Sequence, residues 1–202
     1  MSSNMVFTIL VSTIYRKIRL SGSLSGPEVN VVKKGLVKIY CGEGKGKSTS
    51  SLGRALVCAS EEKEVFVIQF LKGKMTGKLD YLKRLEPEIK VFRFEREEAF
   101  YEDLTDEEKK EENVNILNGI NFARKVLSIG ECDVLILDEV LGLVDLGIIT
   151  CEDVIHLIEM KDEETELILT GRNLPERLIP YADYISCLDI IKSEACEKPS
   201  GI

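Results

Sequence analysis

The sequence predicts a doubly wound α/β domain built on a mainly parallel sheet. Short apolar runs bounded by turn residues alternate with stretches whose apolar positions recur at helical spacing. One run, Val134–Leu137, is apolar throughout, as expected of a strand covered on both faces. Strands separated by helices need crossover connections, and these are right-handed and leave the strands parallel.

Leu36–Tyr40 (LVKIY) reads as the first strand, followed by a Gly-rich turn and a helix over about 48–59. Val65–Phe70 is the second strand, 78–85 a helix, and Ile89–Phe94 the third strand. Thr105 opens a long helix, because Glu108 three residues on completes a capping box. Its apolar stripe runs through Ile116, Leu117, Ile120, Ala123, Val126 and Leu127, so one side faces the sheet. After the strand at 134–137, another helix follows Thr150. A strand at Glu166–Thr170, a helix from Leu174 and a strand near Asp183–Leu188 complete the pattern. Residues 1–34 read as an N-terminal arm and linker. Met5–Tyr15 is largely apolar, but a membrane span needs about 20 such residues. Arg16, Lys17 and Arg19 follow this run, whereas a secretory signal carries its positive charge in front. The segment SGSLSGP at 21–27 is a flexible joint. The domain itself is expected over 35–192, with a short tail at 193–202.

The 202 residues suffice for one domain with its own core. The formal charge of −8 argues against nucleic-acid binding, which rests on basic surface. Ten acidic and three basic residues lie between Glu95 and Asn113, so this stretch holds nearly all of the net charge and reads as a solvated helix start. One histidine, His156, excludes His-rich metal sites, and its apolar surroundings (VIHLI) assign it to the core or its rim. The cysteines at 41, 58, 132, 151, 187 and 196 form no C-x-x-C pair, and suit reduced thiols in a cytoplasmic protein without a membrane partner.

The strongest local signal is Gly42-Glu43-Gly44-Lys45-Gly46-Lys47-Ser48-Thr49, between a strand and a helix. Its glycines let successive N–H groups aim at phosphate oxygens, and the helix N-terminus adds its dipole. Lys47 places a cation on the phosphates, Lys45 supplies a second, and the Ser48 hydroxyl suits Mg²⁺. The general phosphate-loop pattern wants glycine where Cys41 stands, and a small packing residue is the better reading of that cysteine than a nucleophile. The second signal is the apolar strand ending in Asp138-Glu139. In phosphate-loop folds, a strand beside the loop's strand ends in an acid that holds Mg²⁺ directly or through water. Together the two signals point to a P-loop NTPase (RecA-like) fold with a metal-nucleotide site. Three further stretches fall at strand C-terminal ends, where open α/β sheets bind ligands. They are Gln69–Gly73, Glu98–Tyr101 and Thr170–Asn173. Lys72 and Arg172 can each take a phosphate. Phe100 and Tyr101 can close over a planar ligand, or simply pack in their loop.

These motifs, in this order, resemble the ATP:corrinoid adenosyltransferase family of the CobA/BtuR/CobO type. GLVKIYCGEGKGKST is similar to the family's opening strand and loop, where Thr usually stands at the position of Cys41. VFVIQFLKG, VFRFE, DVLILDE and LILTGRNLPERLIPYADYIS follow at the family's spacing, so the resemblance covers about 35–192. It implies transfer of the 5′-deoxyadenosyl group of ATP to Co(I) of a reduced corrinoid, with triphosphate as leaving group. The loop 42–49 would hold the triphosphate, with nucleotide polarity reversed relative to ordinary phosphate-loop enzymes. Ser48 and Glu139 would coordinate Mg²⁺ with Asp138 beside them, and Lys45, Lys47 and Arg172 would stabilise the leaving charge. Phe100 falls where the family's aromatics displace the corrinoid's lower ligand, with Tyr101 beside it. The resemblance further implies a homodimer, an N-terminal segment over the site and a flavodoxin-like electron donor. The chain departs from the family at Glu102, where relatives carry an aromatic, and in a shortened tail without the family's Lys-His-Pro. On the residues alone two other readings stay open: a P-loop ATPase or kinase, and an ATP-binding relative that has lost corrinoid turnover.

Overall fold

The computed structural model describes residues 35–71, 84–94 and 99–191. The expected strands form at β1 (Val37–Cys41), β2 (Val65–Gln69), β3 (Ile89–Arg93), β4 (Val134–Asp138), β5 (Glu166–Thr170) and β6 (Tyr184–Cys187). They make one sheet in the order β3-β2-β4-β5-β1-β6, with every neighbouring pair parallel. The doubly wound architecture is therefore the observed one, and all six strands point their C-terminal ends to the same edge.

The helices cover both faces. On one, Ala55 and Cys58 of α1 (Lys47–Ser60) pack against Val65, Val67, Val134, Ile136 and Ile168. On the other, Phe66, Ile68, Leu135, Leu137, Leu167 and Leu169 meet the helices α2 (Asp106–Ile129), α3 (Val140–Asp145) and α4 (Cys151–Met160). Alternate residues of β4 thus enter two different cores, which is why its sequence shows no polar alternation. Each such Leu or Ile contributes about 1.5–3 kcal/mol by leaving water. The capping box of Thr105 and Glu108 forms as expected, and Thr150 with Asp153 builds a second one at α4.

The structure corrects several expectations. β4 does not lie beside β1, since β5 is inserted between them. The apolar run after Glu139 folds as α3, whose first four residues are all buried; a helix apolar all round offers no periodicity to read. The helix expected from Leu174 is a 3-10 segment, Glu176–Tyr181, containing Pro180, whose missing N–H cannot continue an α-helix. Leu117 is 41% exposed and lies off the buried stripe of α2, and His156 is exposed on α4, outside the core. The arm 1–34, Lys72, Gly73, Glu98, most of the helix expected at 78–85, and the tail 193–202 lie outside the described residues. Among those described, no helix is long and apolar enough to cross a membrane.

One buried ion cluster ties α1 to the sheet. Glu166, at the start of β5, accepts from Arg54 Nε at 2.9 Å and Nη2 at 2.7 Å, and from Lys38 Nζ at 2.8 Å. Burial alone would raise its pKa, but the hydrogen bonds of Arg54 and Lys38 outweigh that and hold it below the usual glutamate value. A depressed folded-state pKa stabilises at neutral pH, and that stability is lost as pH falls through the acid range. Glu166→Gln is therefore expected to lose roughly 3 kcal/mol at pH 7, because two cations are left without their partner. Urea unfolding at pH 7 and near pH 3 checks this, with the gap between variant and wild type closing at the lower pH.

Candidate functional site

The last residues of four adjacent strands stand side by side. Gln69 of β2 is paired in register with Arg93 of β3 and with Asp138 of β4. Thr170 of β5 follows the pair Leu137–Leu169, which puts it level with Asp138. These polar ends are linked. Arg93 donates from Nε and Nη2 to Gln69 Oε1, both at 3.0 Å. Gln69 Nε2 donates to Asp138 Oδ2 at 3.3 Å. Thr170 Oγ1 donates to Asp138 Oδ1 at 2.7 Å and accepts the Glu139 N–H at 2.8 Å. A guanidinium can only donate, so Arg93 fixes the Gln69 amide with its oxygen outward and its NH₂ toward the carboxylate.

The phosphate-binding loop meets this row through Ser48, whose hydroxyl donates to Asp138 Oδ1 at 2.8 Å. The first turn of α1 thus carries Ser48 past β5, the strand that separates β1 from β4, to reach Asp138. The loop needs glycine at two points: Gly42 and Gly46 have φ of 103° and 112°, where a side chain is strained. The loop is fastened at both sides, Gly42 N–H donating to the Arg172 carbonyl at 2.8 Å and Gly44 N–H to the Leu188 carbonyl at 2.6 Å. Lys47 curls back, its ammonium donating to the carbonyls of Gly42 at 2.6 Å and Gly44 at 2.9 Å. No side chain caps α1, so its first N–H groups keep their polarity for an anion. Glu43, Lys45 and Thr49 lie at the exposed surface of this turn, and Arg172 is exposed beside it.

Glu139 follows Asp138 in a left-handed conformation, φ 64°, which turns the chain sharply from β4 into α3. Gly142 and Gly171 make the room. A Cβ on Gly171 would lie 2.4 Å from Leu141 Cβ, and one on Gly142 would lie 2.9 Å from Leu71 Cδ1 and 3.5 Å from Glu139 Oε1. Ser48, Asp138 and Glu139 supply hard oxygen donors of the kind Mg²⁺ takes. Among the described residues, no three His, Cys, Asp or Glu side chains are placed to cage an ion by themselves. The set fits an ion that shares its shell with phosphate oxygens and water, with Asp138, already accepting from three side chains, holding Ser48 rather than meeting the ion.

Phe100 and Tyr101 follow β3 at the same sheet edge. Phe100 is 51% exposed. Tyr101 packs against the core, its hydroxyl donating to Asn113 Oδ1 at 2.8 Å and Lys109 lying 5.9 Å above its ring. Of the two, only Phe100 presents an open aromatic face. Cys41 is 3% exposed, and burial pushes its thiol up to about 11, which fits packing and not a nucleophile for a bound substrate. The sequence marks Gln69 and Thr170 only as part of the stretches at strand ends, and does not mark Arg93. The signal available is a polar residue closing the strand, after an apolar run for Gln69 and Thr170, and less distinct for Arg93, whose strand also holds Lys90.

Residues 33–200 match the sequence model of the family described as ATP:corrinoid adenosyltransferase BtuR/CobO/CobP. The chain belongs to this family. A corrinoid adenosyltransferase of Escherichia coli strain K12 is 26% identical over 162 residues, 79% of this chain and 79% of that enzyme. An uncharacterized Nostoc protein is 31% identical over 163 residues, 74% of this chain but 42% of that protein, so the chain spans less than half the length of that relative. Among solved structures, domain III of the Thermotoga maritima replication initiation protein DnaA covers 93% of this chain and 63% of its own at 15% identity, with a TM-score of 0.37. Family membership makes the protein a transferase with a nucleotide-binding P-loop fold.

The row of strand ends generates a prediction for the family fold. Thr170→Val removes one donor to the buried Asp138 and the acceptor of the Glu139 N–H, and is expected to cost about 1–3 kcal/mol. Thr170→Ser keeps both bonds and should recover most of that loss in urea unfolding and in MgATP affinity.

Proposed function

We propose that the protein transfers the 5′-deoxyadenosyl group of ATP to the Co(I) of a reduced corrinoid and releases triphosphate. The observation that carries this reading is the convergence of the loop residue Ser48 on Asp138, with Glu139 next to it, in a chain of this family. The Co(I) electron pair forms a bond to C5′ while the C5′–O bond breaks, and its electrons leave with triphosphate. No proton is abstracted, so no general base is needed.

The loop 42–49 would hold the triphosphate. Lys47 would leave the carbonyls of Gly42 and Gly44 for phosphate oxygens, and Lys45 and Arg172 would add positive charge where the leaving group becomes more negative. Ser48 and Glu139 would hold Mg²⁺, which supplies charge to the same oxygens. Phe100 would meet the corrinoid. β3 lies four strand spacings from β1, about 19 Å, which leaves room for a large planar substrate between loop and aromatic. By the family's pattern the enzyme would act as a homodimer in the cytoplasm and receive electrons from a flavodoxin-like donor.

An anaerobic assay with MgATP and chemically reduced cobalamin tests the reading. Expected are loss of the Co(I) absorbance, adenosylcobalamin, and stoichiometric triphosphate. Phosphate or ADP formed without corrinoid would replace it with an ATPase or kinase, and ATP binding with no turnover on any corrinoid would leave a binding protein. Lys47→Ala should weaken ATP binding by about tenfold or more, since a charged hydrogen bond contributes roughly 1.5–3 kcal/mol. Glu139→Ala should remove the response to Mg²⁺. Phe100→Ala should raise the KM for corrinoid while leaving that for ATP unchanged.

A further inference from the structure

Two thiols close the sheet edge next to the phosphate loop. Cys41 ends β1 and Cys187 ends β6, and the two are direct partners in the parallel register. They point to the same face, because Val37, Ile39 and Cys41 alternate into the core that Ile185, two residues before Cys187, also packs against. Neighbouring strands lie about 4.8 Å apart, inside the roughly 4.4–6.8 Å between Cα atoms that a disulfide bridges. Burial first, and then the nearness of Cys187, raise the Cys41 thiol above its usual pKa. Both are free thiols; Cys41 is buried and Cys187 exposed. Cys41 Sγ also donates to the Ser186 carbonyl at 3.7 Å, and Cys187 Sγ to Asp189 Oδ1 at 3.6 Å.

The residue after Cys187 is the seat of the loop. Leu188 N–H donates to the Cys41 carbonyl at 2.8 Å, and its own carbonyl accepts the Gly44 N–H at 2.6 Å. A Cβ on Gly42 would lie 2.4 Å from that carbonyl oxygen, so the loop rests on Leu188 without slack. Any displacement of Cys187 toward Cys41 is therefore passed to Gly42 and Gly44.

We propose that Cys41 and Cys187 form a reversible disulfide that disables the phosphate loop. This rests on the nucleotide site described above. The oxidant is a peroxide. The exposed Cys187 thiolate attacks one peroxide oxygen, the O–O bond breaks, and Cys187 becomes a sulfenic acid as water departs. Cys41, losing its proton, attacks that sulfur; the S–S bond forms, the S–O bond breaks, and a second water leaves. Two thiols are oxidised, one peroxide is reduced to two waters, and a small dithiol reverses the step by exchange. The consequence fits the proposed chemistry, since ATP would be released under oxidising conditions in which Co(I) does not persist.

The test treats the reduced full-length protein with hydrogen peroxide, maps its peptides by mass spectrometry, and measures MgATP affinity by calorimetry. Expected are a Cys41–Cys187 linkage and a fall in affinity of about tenfold, as for loss of one or two loop hydrogen bonds, restored by dithiothreitol. Cys187→Ser should bind MgATP like reduced wild type and keep that affinity in peroxide. A Cys41–Cys187 linkage without change in affinity would overturn the proposal. So would linkage of Cys187 to Cys196 instead, or an equal loss of affinity in Cys187→Ser. Reduced protein that fails to bind MgATP would remove the nucleotide site and this proposal together, whereas bound nucleotide indifferent to the linkage removes this proposal alone.

Discussion

Asp138 is an ionisable group only 1% exposed, set at the end of a strand that is otherwise Val, Leu and Ile. Burying a carboxylate costs several kcal/mol unless its lone pairs are met. Here they are met from three directions, by Ser48 of the loop helix, Thr170 of β5 and Gln69 of β2. Each of those partners is thereby fixed, and the fixing propagates. Thr170 accepts the Glu139 N–H, which sets the turn into α3, and Arg93 orients Gln69 from the edge of the sheet. One carboxylate thus holds four strand ends and the start of α1 in a single geometry, and removing any donor leaves it underpaired.

The same network determines what the loop can offer a ligand. Ser48 directs its proton at Asp138, so toward a divalent ion it can act only as an oxygen donor. Lys47 is held by two loop carbonyls, neutral acceptors that an anionic phosphate displaces readily, because a hydrogen bond between two charged groups is the stronger one. The loop keeps its shape without ligand because Arg172 and Leu188 hold it by backbone bonds. The proposed phosphate binding would therefore meet a preorganised frame, with Lys47 turning from the loop carbonyls to the ligand.

Much of this was legible in the sequence. Periodicity found all six strands to within a residue at either end, and the loop glycines announced the turn before α1. What escaped was of two kinds. Elements with no polar contrast, such as α3, give no periodic signal, and a 3-10 segment around Pro180 looks like a helix until its missing N–H is counted. The other kind is strand order. Nothing in the run Val134–Asp138 says that β5 lies between it and β1, so the place of Thr170 beside Asp138, and of Arg93 two strands away on its other side, could only come from the sheet.

The sheet also separates the two halves of the proposed reaction by rigidity. β4 and β5 are buried at every residue, and Asp138, Glu139 and Thr170 stand at their ends. β3 is an edge strand with four of its five residues only half-buried, and Phe100 and Glu102 sit at exposed positions after it. A substitution at an exposed position costs the fold little, usually within about 0.5 kcal/mol. The departure from the family at Glu102 therefore falls where the chain tolerates change, whereas Gly44 of the loop and Asp138 lie where it does not. A protein built this way can alter its contacts with one substrate while the geometry that holds the other stays fixed.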